Sequence, residues 1–268
     1  MPLLRMIRAE LRKILTRGSG WAGLIISALI PLGVLGVLYW AKTQMGGGDS
    51  GLTVNNSPVS QMLALEVQTS LSWALTVRNL YVLKLILLMV TGQLVAGEWN
   101  ERTLRSLLVR PVPRWSVLTA KALAVWIYAA LCTLVTLVLA LAPALLLLDF
   151  ELEIDQVCLA FLVSWAADAA IISIGVLVST IFPSVVGVVV GTVLFVMFEM
   201  LLRGMLKAAG FFGVTFADSM LPWMPGNALD SWQGHADGWD ERALGGLAVL
   251  VAVTFALALF RFQRTDVP

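Results

Sequence analysis

The sequence predicts an all-α, polytopic membrane protein with six transmembrane helices, an N-terminal amphipathic interfacial helix and a short basic helix between the second and third spans. Three observations carry this. Of the 268 residues, 59% are hydrophobic and only 13% charged, with a mean hydropathy of +0.88, and so few charges could not keep the surface of a soluble domain wet. Several apolar runs reach the roughly 20 residues that a helix needs to cross a ~30 Å hydrocarbon core. The lysines and arginines gather at the ends of alternate runs, as the positive-inside rule requires. Residues 1–268 read as a single transmembrane domain.

Residues 3–17 open the chain as a basic amphipathic helix. Leu4, Ile7, Leu11, Ile14 and Leu15 share one face, and Arg5, Arg8, Arg12, Lys13 and Arg17 cover most of the rest. Such a helix lies in the headgroup layer with its apolar side down. The first span covers about 21–40. It is too long for the apolar core of a signal peptide, and no small-residue cleavage site follows it. Gly46-Gly47-Gly48, Asp49, Asn55-Asn56 and Pro58 then give loop chemistry.

The second span, about 79–97, contains Lys84. The third, about 122–148, carries Pro143 near its far end, where a kink or break is expected. Asp149, Glu151, Glu153 and Asp155 form an acidic turn without Lys or Arg. The fourth span, about 157–181, contains Asp168, and Phe182-Pro183-Ser184 makes a tight turn. The fifth, about 185–202, contains Glu199. Residues 203–242 form a long external segment whose Trp223, Trp232 and Trp239 suit a membrane surface. The sixth span is about 243–260.

With the N-terminus in the cytoplasm, six spans place the N-terminal segment, the stretch between spans two and three, and the C-terminal tail on the same side. Twelve of the 18 Lys and Arg fall there, against only Glu10, Glu98, Glu101 and Asp266 among the 17 acidic residues. Every charged loop agrees in sign with this orientation.

The polar island from Glu98 to Lys121 is the densest concentration of polar residues between two spans. Asn100 can cap a helix, and Leu104, Leu107 and Leu108 then fall on one face, flanked by Arg102 and Arg105. Pro111 and Pro113 stop it, because a residue preceding proline is pushed out of the helical region. Ser116 can cap the next helix. The result is a basic amphipathic helix over about 101–109. A solvated loop would explain its charges. Three leucines on one face of so short a helix call for a surface to cover them.

This stretch resembles the permease subunits of ABC-2 type ABC transporters. The pattern is a Glu, then Thr-Leu, two further leucines, a Pro-Val-x-Arg turn and a Lys at the start of the next span. Its positions here are Glu98, Thr103, Leu104, Leu107, Leu108, Pro111, Val112, Arg114 and Lys121, with Arg102 where the family usually has glycine. Glu10 and Lys13 resemble the family's N-terminal pattern. The resemblance implies that 101–109 is a cytoplasmic coupling helix docking on a separate ATPase through Glu98, Arg102, Thr103, Leu104, Arg105, Leu107, Leu108, Pro111, Arg114 and Lys121. It further implies two ATPase copies binding ATP and Mg, a second copy of this chain, export across a bacterial inner membrane, and both termini in the cytoplasm.

The chain itself offers no nucleotide site. It has no Gly-x-x-x-x-Gly-Lys-Ser/Thr and not even a Gly-Lys dipeptide. His235 is the only histidine, and with no Cys near it cannot make a zinc site; a solvated loop residue is the default. Cys132 and Cys158 read as small packing residues. No catalytic cluster, metal site or cofactor is expected in this chain, and no nucleic-acid partner.

Three intramembrane charges remain: Lys84, Asp168 and Glu199. An ionisable group within a span costs several kcal/mol unless paired or wetted. At ~1.5 Å per residue, Asp168 sits about 16 Å below the outer end of its helix, and Lys84 and Glu199 both lie much shallower, about 8 and about 5 Å below theirs. The similar depths suggest a Lys84–Glu199 pair; Arg203, one turn on, is a second partner for Glu199. Gly187 and Gly191 form a small-xxx-small pattern that permits close helix approach, within the chain or, as the family resemblance implies, between two copies. Rival readings are a proton-coupled secondary transporter using Asp168, a non-transporting membrane anchor and, least favoured, an intramembrane enzyme.

Overall fold

The computed structural model describes residues 2–45, 81–98, 113–148, 154–213, 215–221 and 241–264. The helix over 101–109 therefore lies outside the described residues, with Arg102, Thr103, Leu104, Arg105, Leu107, Leu108 and Pro111. So do the loop after the first span, the acidic turn through Glu153 and the tryptophans of the long external segment.

No strand occurs among the described residues. The helices are α1 (Pro2–Thr16), α2 (Gly18–Met45), α3 (Tyr81–Gly92), α4 (Arg114–Leu148), α5 (Ile154–Ile181), α6 (Val185–Phe211), α7 (Thr215–Met220) and α8 (Glu241–Arg264); α3 continues into a π-helical turn, Gln93–Gly97. Four stretches are long and apolar enough to cross a membrane: Arg114–Leu139, Ser164–Ile181, Val185–Phe211 and Gly245–Arg264. A fifth is reached if α1 and α2, bent by 72° at their junction, count as one broken span. The apolar helix Lys84–Gly97 is shorter. The described residues thus carry four to five candidate spans where the sequence suggested six.

Several boundaries differ from the sequence reading. α4 begins at Arg114, two residues before Ser116. The Ser116 hydroxyl donates to the Pro113 carbonyl at 2.8 Å instead of capping a helix start; Pro113 suits the position just before the first turn because it has no N–H to satisfy. The α4 backbone stays helical through Pro143. α6 runs on to Phe211, past Arg203 and Lys207, and stops where Gly213 takes φ +82°, a left-handed conformation that glycine adopts without a Cβ penalty. Ser184 does cap, its side chain accepting from the Gly187 N–H at 3.0 Å.

α5 is the central helix, touching α3, α4, α6 and α8. The largest core cluster joins Ile14 of α1, Leu94 and Val95 of the π turn, Leu118 to Tyr128 of α4, Val176 of α5 and Phe262 of α8. Hydroxyls within the spans are satisfied by their own helices: Thr91 donates to Leu87 O, Thr133 to Ala129 O and Thr192 to Val188 O. Trp126 and Trp165 stack at 4.2 Å between centroids, and each indole N–H donates to the other's backbone carbonyl, at 3.0 and 2.8 Å. That reciprocal clasp ties α4 to α5. Tyr128 donates to the Gly20 carbonyl at 2.7 Å and needs Gly23 beside it, where a Cβ would lie 2.1 Å from its hydroxyl.

α1 is not laid apolar side down on lipid alone. Ile14 is only 2% exposed, and Leu11 and Leu15 pack on the same protein core. Leu4, at the far end, is 62% exposed. The leucine stripe thus mainly docks α1 against α4.

Candidate functional site

The π turn ends at Glu98, and α4 starts with Arg114 and reaches Lys121 two turns later. Glu98 and Lys121 are 4% and 1% exposed. Lys121 Nζ donates to Glu98 Oε2 at 2.6 Å, and Lys13 Nζ donates to Glu98 Oε1 at 2.8 Å. Lys13 also reaches Glu10 Oε1 at 3.2 Å. Lys121 Nζ lies 3.4 Å from Glu10 Oε2, close enough for Coulomb attraction but not aligned as a hydrogen bond, so that buried oxygen receives none from a described group. The four groups close a ring of alternating charge with no net charge.

Glu98 and Lys13 hold their charged forms against burial. Burial works against the Glu98 carboxylate, but attraction and hydrogen bonding from Lys121, with hydrogen bonding from Lys13, hold its pKa below the ordinary range. Burial likewise works against the Lys13 ammonium, but hydrogen bonding to Glu98 and the charges of Glu10 and Glu98 hold its pKa above the ordinary range. A buried charge that loses its partner costs about 3–5 kcal/mol.

Position gives the ring its interest. Glu98 and Lys121 stand at the two ends of the polar island, and Glu10 and Lys13 come from α1. The island's base is therefore closed by a charge clamp and fastened to the N-terminal helix. Around it, Arg17 donates to the Gln93 carbonyl at 3.3 Å, and Ser19 to the Gln93 side chain. These contacts fall on the π turn, a wider turn often found at functional positions. Arg114 donates to the Gln263 carbonyl at 3.3 Å, and Arg261 to the Thr180 carbonyl at 3.1 Å. One end of the bundle thus collects α1, Glu98, the start of α4, the α5–α6 turn and the end of α8.

The resemblance marked Glu98 and Lys121 separately; the structure brings them together and adds Glu10 and Lys13 as direct partners. The available signal was three charged helix ends assigned to one membrane surface, with Glu10 and Lys13 one helical turn apart.

The intramembrane charges fall in two places. Lys84 and Asp168 line one small pocket with Ser27, Cys132 and Thr133, and Asp168 is 1% exposed. Glu199 has Arg203 Nε at 3.9 Å, one turn along α6. The glycines face their own chain: a Cβ at Gly187 would lie 2.9 Å from Phe182 Cβ, and one at Gly191 2.8 Å from Val178 Cγ1. Cys132 is buried and Cys158 exposed, and among the described residues neither forms a disulfide.

A bundle of helices long and apolar enough to cross a membrane, with a cluster of charges at one end, is the build of an integral membrane protein. The sequence profile of the ABC-2 family transporter proteins matches residues 4–267. The chain belongs to that family, and so to the permeases of ABC transporters. No curated protein matches it.

Proposed function

We propose that this chain is the membrane subunit of an ATP-driven exporter, working as a homodimer in a bacterial inner membrane with both termini in the cytoplasm. A separate ATPase, present in two copies, binds ATP and Mg. The helix over 101–109 docks on it through Leu104, Leu107 and Leu108, with Arg102 and Arg105 at the rim. The carrying observation is the closed ring of Glu10, Lys13, Glu98 and Lys121 at the base of that segment. A short docking helix transmits force only if both of its ends are fixed to the spans. Here the ends are fixed to each other and to α1, so a push on the island moves the second and third spans together. Export by alternating access follows if two copies face each other across the path.

The test is co-purification: a tagged full-length chain should bring down an ATPase carrying Gly-x-x-x-x-Gly-Lys-Ser/Thr. Asp168, buried and lining one small pocket with Lys84, favours a second reading, proton-coupled transport. Activity that collapses with a protonophore but survives ATP depletion would select it.

A further inference from the structure

We infer that α1 carries a second interaction surface, a headgroup site for anionic phospholipid, on the side opposite the ring. The helix is divided into three stripes. Ile7, Leu11, Ile14 and Leu15 form the apolar stripe, the last three packed on the core. Glu10 and Lys13 form a second, turned toward Glu98 and Lys121, and Arg17, in the bend just after α1, continues it toward Gln93. Arg5, Arg8 and Arg12 form the third; all three are exposed and, among the described residues, none makes a hydrogen bond or ion pair. Spacings of three and four residues set them on one face over about 10 Å of helix. Every basic side chain of α1 that can serve the protein turns inward, and the three that do not are aligned.

The occupant is identified by charge and by what else α1 and α2 expose. Three unneutralised guanidiniums call for anions, and arginine binds phosphate oxygens in a fork. Leu4, next to Arg5 in the first turn of α1, and Trp21, in the first turn of α2, are both exposed. α1 is bent by 72° from α2, so it runs nearly across the axis of the first span and close to the membrane plane. Trp21 then falls at the depth where indoles anchor spans. Guanidiniums together with an exposed leucine and tryptophan match a headgroup layer. The ring is on the same helix, so lipid charge bears directly on the clamp beneath the island. This last step rests on the coupling role proposed above; lipid binding itself does not.

Purified full-length chain would be reconstituted in nanodiscs of phosphatidylcholine with and without phosphatidylglycerol, and the lipids it retains counted by native mass spectrometry. Wild type should retain phosphatidylglycerol in preference to phosphatidylcholine. Arg5→Gln with Arg8→Gln and Arg12→Gln should lose that preference roughly a hundredfold, at about a factor of five per arginine. The matching Arg→Lys triple variant should keep most of it and so controls for folding. Soluble glycerol phosphate added to neutral nanodiscs should not substitute, because it lacks the bilayer. An unchanged preference in the glutamine variant overturns the inference. So does a glutamine variant that keeps its phosphatidylglycerol but sheds the ATPase, since the stripe would then belong to a protein partner.

Discussion

Lys121 and Glu98 are 23 residues apart in the chain and 2.6 Å apart in space. Everything between them is the polar island, so one ion pair closes its base. Lys13 completes the closure at 2.8 Å from the other carboxylate oxygen. Because both members of the pair are buried, each depends on the other. Glu98→Gln or Lys121→Met alone should destabilise the chain by about 3–5 kcal/mol, since each leaves an uncompensated buried charge. Combining them leaves Glu10 and Lys13 as a neutral pair and should recover part of the loss. Thermal unfolding in detergent measures this; additive losses would mean that Lys121 and Glu98 do not interact.

The same ring sets a pH response. Glu98 titrates below its ordinary 4.5, so its contribution is complete above 4.5 and is lost as pH falls through the lower folded value. Lys13 titrates above its ordinary 10.5, so its contribution is complete below 10.5 and is lost as pH rises through the higher folded value. The share of stability contributed by Glu98 and Lys13 should be flat between those limits. In Lys121→Met, the acid limb should begin at higher pH, because the leading attraction that depresses Glu98 is gone. An acid limb that stays in place in this variant would remove Lys121 as the cause.

The pocket gives a choice of partners for Lys84. Lys84 and Asp168 line it together, whereas Arg203 attends Glu199. Double-mutant cycles should therefore show coupling between Lys84→Met and Asp168→Asn above 0.5 kcal/mol, the range expected for residues in contact, and near-additive effects for Lys84→Met with Glu199→Gln. The reverse pattern would restore the Lys84–Glu199 pair.

Gly191→Ala places a methyl group 2.8 Å from Val178 Cγ1. Overpacking of this kind costs about 1–3 kcal/mol. The loss should appear in the unfolding of the single chain. If Gly191→Ala changed only the monomer–dimer balance, the glycine face would serve a second copy.

Much of this was legible in the sequence because membrane insertion leaves a strong signal. Apolar runs and basic ends placed spans at about 122–148, 157–181, 185–202 and 243–260, and these overlap the four candidate spans Arg114–Leu139, Ser164–Ile181, Val185–Phe211 and Gly245–Arg264. What was not legible depended on which side chains meet. Depth suggested Lys84 with Glu199, but depth fixes only one coordinate, and helix rotation, which the sequence does not give, makes Lys84 and Asp168 line one pocket. α1 was read as a lipid-facing amphipath from its periodicity. Periodicity shows that one face is covered without saying by what, and the cover includes α4. The π turn at Gln93–Gly97 has no local sequence rule that would have announced it. The ring joins three distant segments, and its two α1 members stood out only as a pair of opposite charges one turn apart.

The central claim is that the island docks this chain on a separate ATPase while the ring merely holds its base. The amount of ATPase retained by the tagged chain tests this most directly, compared among wild type, Glu98→Gln with Lys121→Met, and Leu104→Asp with Leu108→Asp. Burying a leucine is worth roughly 1.5–3 kcal/mol, so two losses should weaken docking by two orders of magnitude or more. The account predicts ATPase retained by wild type and by the ring variant, and lost from the leucine variant although that variant still inserts. Full retention by the leucine variant would contradict it.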